Sequence, residues 1–426
     1  MRKAIFLTRQ FPPFVTSGSS RAWKFASNLT AIGWEPVVVA PQAVTGMDSA
    51  RPSGLNPITE LHRTGPDIDA SLLEPDDMNA LLHDHPVKLR RPLKACLTGL
   101  FRSEQEIVPW EKNAPALVER LLSEHPDIDL LYAQGPPIEP LMLALETAKK
   151  HTLTVVLDIT APLDPAMPPP GASGSSSSAE AEARILLSGV PMITPTRALK
   201  EYFLKKYFGR LDHGSMTIVP HAFDGSHSAF RQAGAKIPDR VMRIALLVDE
   251  LPKSDLKSLI RGLERWVRLD GISSGDVELS IFGEGAPEVA RRTARSPIRQ
   301  MLAVDAAGSL DDQLEHCRQA DLFCAMLGRS EINTCIVPDR LVDALGMGRP
   351  LCGILPEGAA ARMVVEAGGM TAAPGDADGI AELFRTLASA WRSRSLCGAP
   401  DELLQRHAVG TVIHELTGAI ATQHVH

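Results

Sequence analysis

The feature that most constrains this chain is a recurring alternation. Short runs of consecutive apolar residues stand between longer stretches whose apolar positions recur every three or four residues. Residues 4–8 form such a run, and Ala22, Phe25, Ala26, Leu29 and Ile32 then mark one face of a helix over 18–32. Val37, Val38 and Val39 follow within 36–40, and the pattern repeats at 130–132, 141–150, 154–158 and 191–194. A strand buried on both faces needs apolar side chains at successive positions, not alternate ones. Helices covering both faces of a parallel sheet create that condition. The chain is therefore expected to be α/β.

The alternation lapses over 223–238 and then restarts. Residues 243–248, 277–282, 321–326, 351–354 and 370–373 have the character of strands, and Leu259, Leu263, Trp266 and Val267 line one side of a helix over 256–269. Length agrees, because 426 residues exceed one ordinary core at about 100–200 residues per domain. Two βα halves result, with a boundary near 225–240. Ligands of such sheets bind outside the carboxyl ends of the strands, so a cleft between the halves is the expected site. The Pro/Gly/Ser-rich stretch 163–179 interrupts the first half. It reads as a surface loop, with a lid or acceptor-binding loop as the alternative.

Composition excludes several classes. Hydrophobic residues at 44% and charged residues at 22% are the mix of a soluble globular protein. A net charge of −7 argues against a nucleic-acid partner, and 5% aromatics argues against a surface of stacking rings. No run approaches the roughly 18 apolar residues of a spanning helix. The apolar run after Met1 is too short for a signal peptide and reads as a first strand. Six cysteines at 96, 317, 324, 335, 352 and 397 form no C-x-x-C pair and are expected to be core residues of a reducing compartment. The 13 histidines lie at no zinc-ligand spacing with them. One segment, 88–102, is basic and amphipathic: Lys88, Arg90, Arg91, Lys94 and Arg102 alternate with Leu89, Leu93, Leu97, Leu100 and Phe101. It reads either as a helix packed on its own domain or as a contact with an anionic membrane surface.

Specific blocks add to this pattern. Phe11-Pro12-Pro13, Gly18 and Arg21 lead through the first helix to Gly33-Trp34-Glu35-Pro36-Val37. Asp129-Leu130-Leu131-Tyr132 precedes Gly135-Pro136-Pro137, and Thr217-Ile218-Val219-Pro220 closes the first half. In the second half, Val337-Pro338-Asp339-Arg340-Leu341-Val342-Asp343-Ala344-Leu345-Gly346-Met347-Gly348-Arg349-Pro350 is followed by Pro356-Glu357-Gly358 and Glu366-Ala367-Gly368-Gly369. Together these blocks resemble a bacterial subgroup of glycosyltransferase family 4, and the resemblance runs along nearly the whole chain.

The resemblance implies a GT-B fold, two Rossmann-like αβα domains facing a cleft. It implies an acceptor-side domain over 1–225, a nucleotide-sugar-binding domain over 226–408, and a final helix over 409–426 returning to the first. The implied activity is a retaining glycosyltransferase of the hexosyltransferase type. It would move a sugar from a nucleotide-sugar to a glycan or lipid-linked acceptor in bacterial surface-polysaccharide synthesis. The protein would be cytoplasmic and peripheral at the inner face of the membrane. No metal or other cofactor is implied. Helix N-termini, backbone N–H groups and Lys or Arg can stabilise a departing diphosphate without one.

The same resemblance supplies candidate residues. Gly18 would let backbone approach a phosphate or acceptor, with Arg21, Lys24 and Gly135 on the acceptor side. Lys253 and Lys257 would serve the diphosphate, Gly283 and Glu284 the base or sugar, Glu331 and Asn333 the sugar hydroxyls. Arg340 would pair with a phosphate and Asp343 would accept from ribose hydroxyls. No catalytic residue is assigned, since the departing phosphate can itself assist the attacking hydroxyl. Several positions depart from the family pattern. Val248-Asp249 stands for a Gly-Arg pair, Ser254 for a lysine, Cys335 for a carboxylate, Ala161 for an aspartate, and His221-Ala222 for Asn-Gly. These departures favour an alternative, a non-catalytic GT-B-like protein that binds a partner enzyme or nucleotide-sugar without turnover. A sugar epimerase on the same fold is a third reading.

Overall fold

Seven strands of the chain's first half form one parallel sheet and six of its second half another. The computed structural model describes residues 2–16, 18–42, 44–45, 55–65, 68–69, 110–164, 177–227, 230, 241–249, 251–305 and 309–421. The basic segment 88–102 lies outside the described residues.

The first sheet comprises β1 (Arg2–Leu7), β2 (Trp34–Pro41), β3 (Glu60–Thr64), β4 (Ile128–Gly135), β5 (Thr154–Ile159), β6 (Met192–Thr194) and β7 (Met216–Ile218). Their order is β3-β2-β1-β4-β5-β6-β7. β1 pairs in parallel with β2, Phe6 opposite Val38, and with β4, Phe6 opposite Tyr132. The helices are α1 (Ser19–Asn28), α2 (Trp110–Glu124), α3 (Glu139–Ala148), α4 (Ser177–Leu186) and α5 (Arg197–Lys206). Ala4 to Leu7, Val37 to Ala40 and Leu130 to Ala133 are all buried, as strands covered on both faces require. The helix α4 begins at Ser177, inside the stretch expected from sequence to be loop as far as 179.

The second sheet comprises β8 (Met242–Val248), β9 (Val277–Phe282), β10 (Leu302–Asp305), β11 (Leu322–Met326), β12 (Leu351–Ile354) and β13 (Met370–Ala372). Its order is β10-β9-β8-β11-β12-β13, with all five neighbouring pairs parallel. The helices are α6 (Lys253–Asp270), α7 (Ala286–Thr293), α8 (Leu310–Gln319), α9 (Glu331–Cys335), α10 (Asp339–Gly346), α11 (Ala359–Glu366), α12 (Ala377–Arg392), α13 (Asp401–His407) and α14 (Val409–Ala421). In each sheet the strand order reverses beside the first strand, between β1 and β4 and between β8 and β11. A crevice opens at such a point because successive connections leave for opposite faces.

The chain divides into two compact units. One holds Met1–Ile193, Arg210–Thr217 and Leu416–His426, and the other Thr194–Gly209 and Ile218–Glu415. The division interleaves the chain where the sequence reading draws single cuts after 225 and 408. The helix α5 belongs to the second unit because it packs on α9. Cys317, Cys324, Cys335 and Cys352 are buried free thiols, whereas Cys397 is exposed and not the core residue expected.

One helix pair shows how tightly the second unit is built. Leu256, Leu259, Leu263 and Trp266 turn inward from α6, and Trp266 stacks on Phe384 of α12 with ring centroids 5.3 Å apart. Gly262 sits where the two helices meet, and a Cβ there would lie 2.6 Å from Ile380 Cγ2 and 3.0 Å from Ala377 O. Glycine inside a helix costs about 1 kcal/mol against alanine, but overpacking a close contact costs roughly 1–3 kcal/mol. Gly262→Ala should therefore lower stability in urea denaturation despite its better helix propensity. Combined with Ile380→Ala, it should lose less than the sum of the two single changes. A Gly262→Ala variant more stable than the parent would show that the helices can part at no cost.

Candidate functional site

The carboxyl ends of β8, β9 and β11 carry three loops that approach one another through backbone. Gly285 N donates to Val248 O at 2.8 Å. Gly283 has φ +100°, and a Cβ on it would lie 2.7 Å from Val248 O; one on Gly285 would lie 2.4 Å from Asp249 O. Gly328 meets Pro252 in the same way, at 2.6 Å from its Cδ. The glycines expected to approach a ligand thus have a prior structural task, letting the loop after β9 lie on the end of β8. Glu284 between them is half-buried, while Lys253 and Lys257 project into solvent from the first turns of α6.

Beside these lysines stands a pair that the sequence reading missed. Asp255, in the first turn of α6, is fully buried. Its Oδ1 accepts from Arg329 Nε at 2.9 Å and Nη2 at 2.6 Å, and its Oδ2 accepts from Arg329 N at 2.8 Å. Burial pushes the Asp255 carboxyl up, but the hydrogen bonds from the Arg329 guanidinium and backbone N–H outweigh it and hold it below the usual range. The same bonds raise the Arg329 guanidinium. Asn333, expected at sugar hydroxyls, donates from Nδ2 to Gly328 O at 2.8 Å and so braces the loop, while its N–H is capped by Ser330 Oγ at 3.0 Å. Glu331 is exposed at the start of α9.

The helix α10 departs from expectation. Arg340 and Asp343 are both buried, and Arg340 Nη1 lies 2.9 Å from Asp343 Oδ2. Every residue from Asp339 to Leu345 is buried, so this helix has no solvated face on which a carboxylate could wait for ribose. The guanidinium expected to meet a phosphate lies against that carboxylate one turn away. Asp339 is likewise paired with His221, and His407 Nδ1 lies 2.8 Å from His221 O. Burial holds the His407 imidazole below its ordinary pKa, which fits a neutral ring donating Nδ1–H to that carbonyl. Cys335 is buried where a carboxylate was expected, its carbonyl accepting from Thr196 Oγ1 and its thiol pushed up by burial. Glu331, one turn earlier, lines a cavity of about 260 Å³ with Tyr202, Lys205, Cys335, Glu357 and Arg362.

At the corresponding point of the first sheet the acceptor-side candidates are buried or closely packed against other residues. Arg21 is buried, with Nε 2.7 Å from Asp158 Oδ2 and Nη2 3.1 Å from Oδ1, and Tyr132 donates to the same carboxylate. Phe25 lies beneath the guanidinium at 4.3 Å. Lys24 is buried as well. Neither side chain is on the solvated helix face that its position in the sequence allows. Gly18 O accepts from Gln134 Nε2 at 2.9 Å, and a Cβ on Gly18 would collide with Gln10 Oε1 at 1.7 Å. Gly135 ends β4, where a Cβ would meet Leu141 Cδ1 at 2.5 Å. Among the described residues no group of three or more His, Cys, Asp or Glu side chains could hold a metal ion. Among them, too, no helix is long and apolar enough to cross a membrane.

Neither a protein-family model nor any curated protein matches the chain. Solved structures do. A mutant of S. aureus TarM in complex with fondaparinux, α-GlcNAc-glycerol and UDP is similar with a TM-score of 0.66 and 9% identity, over 99% of this chain and 100% of that one. A glycosyltransferase from Rickettsia africae is similar with a TM-score of 0.59 and 10% identity, over 99% and 98%. A putative UDP-N-acetylglucosamine 2-epimerase from Listeria monocytogenes follows with a TM-score of 0.51 and 12% identity, over 99% and 96%. At these identities the likeness is one of fold: two parallel-sheet α/β domains, as in proteins of the GT-B fold.

Two outcomes are expected from the α10 cluster. Asp343→Ala leaves the Arg340 cation buried and unpaired, which costs about 3–5 kcal/mol; urea denaturation should show a loss of that size. Replacing both, Arg340→Met with Asp343→Leu, should recover most of it. For His407 the folded pKa lies below the unfolded value of about 6.5. Its contribution is present above that value and is lost as pH falls through it towards the folded pKa. Between pH 7.5 and 5, His407→Gln should therefore lose less stability than the parent. Equal slopes would mean that the imidazole already titrates freely in the fold.

Proposed function

We propose that this chain transfers a sugar from a nucleotide-sugar bound by the second unit to a glycan or lipid-linked acceptor, with retention at the anomeric carbon. The observation that carries this reading is the β8/β11 crevice. It lies at the reversal of a Rossmann-ordered sheet, where the first turns of α6 present Lys253 and Lys257 to solvent and the loop after β11 presents Arg329. Cations there can stabilise the diphosphate that leaves as the glycosidic bond breaks. The leaving oxygen can take the acceptor hydroxyl's proton, so no protein nucleophile is required. UDP in the complex of S. aureus TarM supports the class of donor. Family 4 membership, bacterial surface-polysaccharide synthesis and hexosyl specificity belong to this same reading.

A second reading has specific support. Asp249 stands where the family carries a cation, Cys335 is buried where it carries a carboxylate, and the Asp343 side chain on α10 is buried. A protein that binds a nucleotide-sugar or a partner enzyme without turnover fits these residues.

Thermal shift with UDP-, GDP-, ADP- and TDP-sugars, followed by product analysis with a membrane-lipid extract as acceptor, separates the two. A donor at one hundred times its dissociation constant stabilises the fold by about 2.7 kcal/mol, so one nucleotide should raise the melting temperature clearly. Transfer of sugar to the extract is the outcome expected. A melting shift with no transfer supports the non-catalytic reading, and conversion of the sugar without an acceptor supports an epimerase. The absence of any shift rules out the donor site proposed here.

A further inference from the structure

Under the family resemblance, Ser254 occupies the place of a lysine and Asp249 that of an arginine, so the loop after β8 carries less positive charge than the resemblance implies. We infer that Arg329, reaching across from the end of β11, supplies the phosphate-binding cation that the loop after β8 lacks. The inference rests on the proposed nucleotide-sugar reading and deepens it.

The geometry points to this in three ways. Arg329 Nη2 donates to Ser254 Oγ at 3.3 Å, so the guanidinium stands beside the residue that takes the lysine's place. The guanidinium is also held in place. Asp255 is buried and takes Nε–H and one Nη2–H, while the Arg329 backbone N–H is bound to the same carboxylate. A guanidinium fixed along one edge keeps its other edge in a set direction, and ordering it on a ligand then costs little further entropy. Nη1 makes no hydrogen bond among the described residues, and the side chain is 57% exposed. Finally, Gly375, with φ +92°, leaves the room the group occupies: a Cβ there would lie 2.8 Å from Arg329 Cζ.

An ordinary surface ion pair does not account for this arrangement. Such pairs join two exposed, mobile side chains. Here one partner is fully buried and binds the other's backbone and side chain together. Asp255 neutralises part of the charge and Asp249 and Glu284 stand partly exposed at the same strand ends, while Lys253 and Lys257 add two exposed cations on the same helix. A nucleoside diphosphate is the chemistry that matches: two phosphate groups for a fixed guanidinium and two mobile ammonium groups.

The test compares diphosphate with nucleoside. Affinities of UDP, GDP and ADP, each against its own nucleoside, are measured by calorimetry on the full chain. The parent should prefer one diphosphate over its nucleoside by tenfold or more. Arg329→Gln alone would strand a buried carboxylate, so the variant is Arg329→Gln with Asp255→Asn, checked for folding by circular dichroism. It should lose at least tenfold in diphosphate affinity with nucleoside affinity unchanged. Adding Ser254→Lys to that double variant places a cation one residue from Asp255 and should return affinity to within about threefold of the parent. A parent that binds diphosphate, together with a folded double variant that binds it equally well, overturns the role of Arg329 and leaves the nucleotide-sugar reading standing. A parent that binds none of the three diphosphates overturns both.

Discussion

The candidate donor site depends on one buried carboxylate. Asp255 sits in the first turn of α6, where the helix dipole favours an anion, and takes both the backbone and the side chain of Arg329. That contact joins the loop after β11 to the helix after β8, the two connections that leave the sheet on opposite sides of its point of reversal. Pro252 against Gly328 closes the same junction by packing. Asn333 then braces Gly328 O, which fixes the start of α9 relative to the strand end. Exposed cations at such a place can hold a defined geometry only because the layer beneath them is fixed.

The interior of the molecule shows the opposite use of charge. Arg21 with Asp158, and Arg340 with Asp343, are ion pairs removed from water, the first joined by two hydrogen bonds. Buried pairs of this kind seldom add net stability over apolar residues of the same size, yet losing one partner is costly. They tie α1 to the strand β5 and hold the acidic and basic positions of α10 inside the second unit. The Tyr132 hydroxyl on Asp158 completes the first of these clusters.

The central strands were legible because burial on both faces leaves a mark in the sequence. Val37 to Val39, Leu322 to Met326 and Leu351 to Ile354 are such runs, every residue of them buried. The strands Glu60–Thr64, Leu302–Asp305 and Met216–Ile218 were not found, and all three lie at or beside a sheet edge. An edge strand is half-solvated and short, so Glu60, His62 and Arg63 in the first of them hide its nature. The site was legible in part. Lys253 and Lys257 are exposed at the carboxyl edge, but helix periodicity could not tell that α10 is covered all round, so Asp343 and Arg340 looked available. Arg329 carried no local signal. Its meaning comes from Asp255, seventy-four positions away in sequence.

The glycines at the strand ends bear on how such a site can change over time. Gly283, Gly285 and Gly328 leave no space for a side chain, since each would strike backbone or a proline ring. Their loops are therefore closed to drift at those positions. Variation that alters the ligand can enter through other residues of these loops, among them Asp249, Lys253, Glu284 and Arg329, whose side chains are at least partly exposed. A scaffold of this kind separates the residues that hold a loop's path from those that give it chemistry. New specificity can then arise, and old specificity can decay, without the path being disturbed.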